Sequence, residues 1–473
     1  MPSGQHRPSS ESSGDSQGEG RGILARLVST LVACPWIDPA KRDRAFALQH
    51  ERDLIGVRLQ WVFITAGLVV FTTSTSATEI ALAPAAVYSV IRLNNTWRTY
   101  ISCLLQPALW LSVALALWSA LSLSWTPNVR HGLDELAMAR VLGLWIILWP
   151  MIEYRRWFIG ALCVGFALGN AVQLLHVVGT ALDLPLLQWN RHLGRNSGWW
   201  DPVVGGTLLT GALGLHLPAA LMGSGRWRAV GVAGCVITGM GILATGTRGA
   251  WIASAALTLI ALGIAGAHEL RRRRFGARTL WGGLVVIALT LTLGWLVAGG
   301  TVKSRFSEAR GELTRASSGD YDTFTGARLL MGRWGVDAIR QHPIRGVGLG
   351  GYRASVRAQL ERDGKDPDTL SVHDHAHNTL IQIGATTGLV GVLLALGVFG
   401  VSLASGFKGT TGERFASYDS GPAFALLGLF LAGGFDVVHL NSQTGALLGA
   451  LIVLCAAARP APKKGDPLSR PAA

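Results

Sequence analysis

The sequence predicts an all-α polytopic integral membrane protein with about twelve transmembrane helices. Three observations carry this expectation. Hydrophobic residues make up 49% of the 473 positions and charged ones only 15%, too apolar for a string of soluble domains. Apolar runs of span length recur along the chain. Arg and Lys alternate between rich and poor connecting loops, as a membrane topology requires.

Residues 1–20 are rich in Ser, Gly, Gln and Glu and read as an unstructured tail. Ile23, Leu24, Leu27, Val28, Leu31 and Val32 then recur at helical spacing, predicting a short helix on the inner membrane surface. TLVAC, ending at Cys34, resembles a lipoprotein cleavage site, but Arg26 interrupts its apolar run and leaves it too short for a signal-peptide core. Span-length apolar segments follow near 55–75, 77–92, 101–124, 134–152, 157–180, 202–222, 226–245, 247–268, 279–300, 380–405, 420–437 and 443–458. The expected organisation is a cytoplasmic segment 1–53, helices one to nine within 54–300, a periplasmic region 301–378 containing helices, helices ten to twelve within 379–458, and a cytoplasmic tail 459–473.

Counted from an inward N-terminus, the short inner loops and the tail hold 17 Arg and Lys, against four in the short outer loops: Arg130, Arg191, Arg195 and Arg248. Both termini are therefore expected in the cytoplasm. The net charge of +14 is chiefly this topology signal and a match to anionic membrane lipids. A nucleic-acid partner is not expected, because that calls for a soluble basic domain. Cys103, Cys163, Cys235 and Cys455 fall in apolar spans and read as small apolar residues.

Within 301–378, GARLLMGRWGVDAIRQHP places Ala327, Leu330, Met331, Trp334, Ala338 and Ile339 on one helical face and ends at Pro343. GVGLGG (346–351) lacks the preceding strand and following helix start of a phosphate loop, so it reads as a flexible turn.

Three features point to chemistry on the outer side. In ATGTRGAWIA, Arg248 sits at a tight turn between two apolar spans, where an arginine costs a few kcal/mol unless it has a partner or a task. Arg328 begins the loop helix, with Arg333 and Arg340 as competitors. SVHDHAHNTL (371–380) sets His373, His375 and His377 on alternate positions. An extended backbone would turn all three to one side, as zinc requires; a helix would pair His373 with His377. Thr379 and Gln382 have capping-box spacing, and Asp374 is a second possible cap, so a helix should begin within or just after the histidines. The positive end of that helix would keep a histidine neutral and available as a base. Metal site, general base and polar loop all stay open on the residues alone. Arg191, Arg195, Asn196, Trp199, Asp436 and His439 are further polar or aromatic groups near the outer face.

TGTRGAW, TGARLLMGRW, HPIRGVGLGGY and HAHNTLIQIGATTGLVG follow one another in the order and rough spacing of the O-antigen ligase family, the Wzy_C superfamily. This resemblance covers about residues 240–400. It implies a fold like that of GT-C glycosyltransferases, an undecaprenyl-pyrophosphate-linked glycan as donor, and lipid A-core as acceptor. It also implies the bacterial cytoplasmic (inner) membrane with a periplasmic active site. The family relies on two arginines and one histidine and needs no metal or other cofactor. By motif these are Arg248, Arg328 and His377 as catalytic residues, with His375 and Asn378 completing the HAHN pattern; Arg191 and Arg195 are added as substrate-binding candidates. The chemistry implied is direct, inverting displacement. Guanidinium groups neutralise the pyrophosphate leaving group. A neutral His377 takes the proton of a sugar hydroxyl, an effect of about 100- to 10,000-fold. An O-antigen polymerase of the same superfamily is the nearest alternative, followed by a protein O-oligosaccharyltransferase. A transporter or flippase would want mid-membrane ionisable groups and paired repeats; only Arg140, His176 and His216 offer the former, and no repeat is evident.

Overall fold

The computed structural model describes residues 39–188, 195–271, 277–364, 366–367, 373–408 and 418–457. The helix expected at 23–32, Cys34, Arg191 and the tail 459–473 lie outside them.

Every regular element of the described residues is a helix. Pro39–Arg52 (α1) meets Leu54–Val70 (α2) at 104°. The break is at Asp53, whose carboxylate caps α2 by accepting from the Gly56 amide at 2.8 Å and pairs with Arg92 at 2.5 Å. Thr75–Ile91 (α3) and Leu93–Leu104 (α4) follow, and α4 turns by 86° into Pro107–Ser122 (α5), with proline at the first helical position. Val129–Leu136 (α6) and Gly143–Leu148 (α7) are joined by 3-10 turns and lead to Arg155–Ala181 (α8).

Pro202–Met222 (α9) is the central helix, buried along almost its whole length. Its glycines allow this: a Cβ at Gly214 would lie 2.4 Å from the backbone nitrogen of Ala425, so α9 packs backbone to backbone on Gly421–Ala432 (α16). Gly225–Ala244 (α10) covers another side of α9, and Arg248–Arg271 (α11), Ala277–Ser317 (α12), Thr379–Lys408 (α15) and Ser442–Ala456 (α17) surround this centre. All twelve apolar segments of the sequence fall on helices. Among the described residues, five helical runs are long and apolar enough to cross a membrane, or eight if each of three bent pairs is one span. The described chain is thus all-helical, with the several apolar span candidates that a polytopic membrane protein carries. A count of twelve needs the shorter apolar helices α3, α16 and α17, and both halves of Val129–Ala181, to cross as well.

The segment after residue 300 differs from a simple loop. Helix α12 bends by 92° between Ile287–Leu296 and Gly299–Ser317 and continues as a helical arm. Phe324–Gln341 (α13) buries the face expected of it: Met331, Trp334 and Ala338 are buried, with Ala327, Leu330 and Ile339 packed beside them. They pack with Tyr352, Val356 and Leu360 of a further helix, Tyr352–Arg362 (α14), and with Ala376 and Ala385.

GVGLGG is not a flexible turn. Its six residues are buried, and the amides of Val347, Gly348, Leu349 and Gly350 donate to Ala385 O, Thr386 O, Ser122 Oγ and Glu135 Oε2 at 2.8–3.1 Å. Gly346, Gly348 and Gly350 have φ of 67°, 89° and 73°, and a Cβ at Gly350 would stand 2.3 Å from the Gly132 nitrogen. Only glycine suits such a backbone in such a space. With its amides engaged, the loop is a strut that ties α14 and α15 to α5 and α6, not a phosphate cradle.

Candidate active site

One end of the bundle gathers four arginines from four separate elements. The turn Thr245–Gly246–Thr247 between α10 and α11 has φ +63° at Gly246, and Arg195 clamps it by donating to Thr245 O at 2.9 Å and Thr247 Oγ1 at 2.7 Å. A Cβ at Gly246 would meet Arg195 Cγ at 3.4 Å and Arg305 Nε at 3.5 Å, so glycine lets both side chains lie across the turn. Arg248 is the first residue of α11; its Nη2 donates to Glu312 Oε2 at 2.8 Å, while its buried Nη1 has no acceptor. Glu312, on the arm of α12, also accepts from Thr325 Oγ1 in the first turn of α13, three residues before Arg328. Glu312 is therefore a strut between the helices that carry Arg248 and Arg328. Burial, with Arg305, Arg328 and Arg248 around it, pulls the Arg195 guanidinium down to about 10, against a smaller opposing effect of Asp201. That mutual repulsion makes the cluster receptive to an anion.

The competing arginines separate clearly. Arg333 and Arg340 are exposed, Arg340 pairing with Asp337, whereas Arg328 is half-buried and close enough to disfavour charge on both Arg195 and His373. Among the described residues Arg328 forms no ion pair.

The histidine stretch is neither extended nor helical; α15 begins just after it, at Thr379. The cap differs from the expected box: Asn378 Oδ1 accepts from the Ile381 amide at 3.0 Å, and Gln382 Oε1 reaches back to the Ala376 amide at 2.9 Å. Four hydrogen bonds stitch this loop to the turn after α16: Asn378 Nδ2 to Gly434 O, the Thr379 amide to Gly433 O, Thr379 Oγ1 to Asp436 O, and the Val438 amide to Thr379 Oγ1, all at 2.7–3.0 Å. His377 is held at φ +50°, a left-handed backbone that costs a non-glycine residue on the order of 1 kcal/mol and that these bonds offset. The result sets His377 Nδ1 3.7 Å from Asp436 Oδ1.

The His375 and His377 rings lie 4.4 Å apart, with His373 5.6 Å from His377. Burial first, and then His377, pushes His375 down to about 4; burial likewise takes His439, behind it, to about 4. Burial alone would raise the Asp436 carboxyl, but His377, the Val437 amide and His375 together hold it below the usual range. Asp436 and His377 thus form a carboxylate–imidazole pair in which the carboxylate stabilises a proton arriving on the ring.

His375, His377 and Asp436 also bring ligand-type atoms within 4.8 Å of one another, an arrangement that can hold a metal ion. The set contains two histidines and a carboxylate, not the three histidines weighed from the sequence, and among the described residues it has no fourth protein ligand of the kind a closed structural zinc site uses.

Of the site residues read from the sequence, the structure brings Arg195, Arg248, Arg328, His375, His377 and Asn378 to one end; Arg191 lies outside the described residues. Asn196 and Trp199 serve the scaffold: the Asn196 amide donates to Ala244 O at 3.0 Å, and Trp199 Nε1 to Thr72 O at 3.0 Å. Sequence reading missed Arg305, Glu308 and Glu312. Their spacing of three and then four residues puts them on one helical face, a signal available only once the helix is continued past residue 300. Behind the stitched loop an apolar cavity runs among α5, α7, α15 and α17, lined by Leu115, Leu142, Phe399 and Leu448, with Thr379 and His439 at its polar end.

No curated protein matches the chain. Residues 233–396, the stretch that holds Arg248, Arg328 and the HAHN motif, match the family model Wzy_C, described as O-antigen ligase, and this segment is a domain of the O-antigen ligase family.

Proposed function

We propose that this protein is an O-antigen ligase that transfers a glycan from undecaprenyl pyrophosphate to a sugar hydroxyl of lipid A-core at the periplasmic face of the bacterial inner membrane. The coarser reading, an enzyme of the O-antigen ligase or polymerase type, follows from the family. The observation that carries the finer one is the convergence of Arg248, Arg328 and Arg195 with the His377–Asp436 pair at one end of a membrane bundle. The excess of arginine and lysine at the opposite set of loops, 17 against four, supports an outward-facing site and cytoplasmic termini.

In this mechanism the pyrophosphate of the donor meets the arginine cluster. The unpartnered Nη1 of Arg248 and the guanidinium of Arg328 neutralise the charge that develops on the leaving oxygen. The acceptor hydroxyl approaches from the side opposite the leaving group, and Nε2 of His377, the nitrogen turned away from Asp436, takes its proton as the new glycosidic bond forms. Asp436 then faces an imidazolium at 3.7 Å, so the charge that forms on the ring has a carboxylate beside it. The anomeric centre inverts. The apolar cavity beside Thr379 and His439 suits the lipid chain of a substrate. No step requires a metal.

The test is reconstitution of purified protein with carrier-linked glycan and, separately, lipid A-core or a second carrier-linked repeat unit. Glycan on lipid A-core supports ligation; lengthening of carrier-linked chains with no transfer to lipid A-core would identify a polymerase. Full activity of His377→Ala would sink the proposed base.

A further inference from the structure

The two family arginines account for one half of the cationic cluster only. The helices that carry Arg248 and Arg328 are linked through Glu312 and Thr325. Arg195 and Arg305 form a second pair across Gly246, each within 3.5 Å of the position a Cβ there would occupy. Arg305 sits on the bent arm of α12, with a side chain only 15% exposed, and its effect on Arg195 is the largest of the three other arginines. Its present partner is Glu308, one helical turn further on and 42% exposed, which also accepts from Ser304 Oγ at 2.9 Å. An exposed carboxylate three residues away on the same helix is a weak, easily released partner. A phosphate brings more charge and a geometry that fits the guanidinium fork.

We infer that Arg305 is a substrate-binding residue: with Arg195 it forms a second phosphate subsite, so that the two phosphates of a lipid-linked diphosphate divide between the Arg248–Arg328 pair and the Arg195–Arg305 pair. Glu308 pairs with Arg305 and yields it when the diphosphate enters. The division explains why four cations from four elements meet at one turn where, among the described residues, the carboxylates acting on them are fewer: Glu308, Glu312 and Asp201. It also gives the site a preference for a diphosphate over a single phosphate, because one phosphate reaches one pair only. The inference rests on the proposed transfer from a lipid pyrophosphate.

Binding of inorganic pyrophosphate and of inorganic phosphate to the full-length protein in detergent, by calorimetry at fixed salt, tests both layers. The wild type should bind pyrophosphate more tightly than phosphate. Arg305→Ala should weaken pyrophosphate by about tenfold to a hundredfold, the effect of one charge-assisted contact, and leave phosphate within about threefold. Arg305→Lys, which keeps the charge without the fork, should recover part of the loss, and Glu308→Gln should tighten pyrophosphate severalfold. Arg315→Ala, removing a charge further along the same arm, serves as the control for a general field effect. Arg305→Ala binding pyrophosphate as the wild type does, or losing both probes equally, overturns the subsite while leaving the transferase reading intact; so does an equal loss in Arg315→Ala. A wild type that prefers neither probe overturns the pyrophosphate reading itself.

Discussion

Two arginine clusters at the two ends of α8 differ in a way that charge counting misses. At its start, Arg155 and Arg156 share Asp419. Arg155 donates to Leu454 O and Asp419 O at 2.6 Å each and to Asp419 Oδ1 at 3.4 Å, and Arg156 forks onto both carboxylate oxygens at 2.9 and 2.7 Å. Toward the other end of this 27-residue helix, Arg195, Arg248, Arg305 and Arg328 lie among Glu308, Glu312 and Asp201. Both clusters have fewer carboxylates than arginines. At the first, every nitrogen of the Arg155 guanidinium has an acceptor; at the second, Arg248 keeps a buried nitrogen without one. A cation with its donors engaged holds a fold, whereas one with a donor in reserve awaits a ligand.

The sharpest way to break this contrast is to exchange the losses. Arg248→Ala and His377→Ala should each lower transfer at least about a thousandfold with normal amounts of folded protein in the membrane, measured as product per molecule. Arg155→Ala should do the reverse. It strands the carbonyls of Leu454 and Asp419, while the Asp419 carboxylate keeps Arg156, costing about 1–3 kcal/mol of stability for each carbonyl, and should cut the folded yield while the surviving molecules stay active. An Arg155→Ala protein that is abundant but inactive would end the distinction.

A smaller loss is expected at Asp436→Asn. The amide keeps the shape but not the charge facing His377, so kcat should fall about tenfold to a hundredfold with little change in KM. Smaller again, Glu312→Gln retains an acceptor for Thr325 and Arg248 but loses the charge; donor KM should rise several-fold, and Glu312→Ala should be worse because the strut is gone. The least change is expected at His375. Its folded value of about 4 lies below the ordinary 6.5, so it stays neutral above pH 5, and the associated stability is complete above about pH 6.5 and lost only as pH falls toward 4. His375→Gln should therefore leave the shape of the pH–rate profile between pH 5 and 8 unchanged. Chelator should likewise leave turnover unchanged; a loss restored by zinc would turn His375, His377 and Asp436 into a metal site.

Much of the molecule was legible because membranes simplify the code. A bilayer demands long apolar helices with their backbone bonds satisfied internally, so hydropathy alone locates helices such as Pro202–Met222 and Thr379–Lys408. The amphipathic face of α13 was equally plain, since Met331, Trp334 and Ala338 repeat at helical spacing. The motif-bearing residues Arg248, Arg328 and His377 stood out through family resemblance, which also pointed to His377 among three similar histidines.

What the sequence could not determine depends on distance in space. GVGLGG looks like any flexible glycine turn until its amides are seen to meet partners from residues as far off as Ser122 and Glu135. Asp436 is 59 positions from His377, and only the four hydrogen bonds between the two loops set them face to face. Glu312 and Arg305 read as ordinary polar positions past a span's end; the bend of α12 carries them back over the turn that holds Arg248. Periodicity and composition fix which residues are buried, because those follow from neighbours along the chain. Which charges meet is decided by how helices cross, and that exists only in the folded protein.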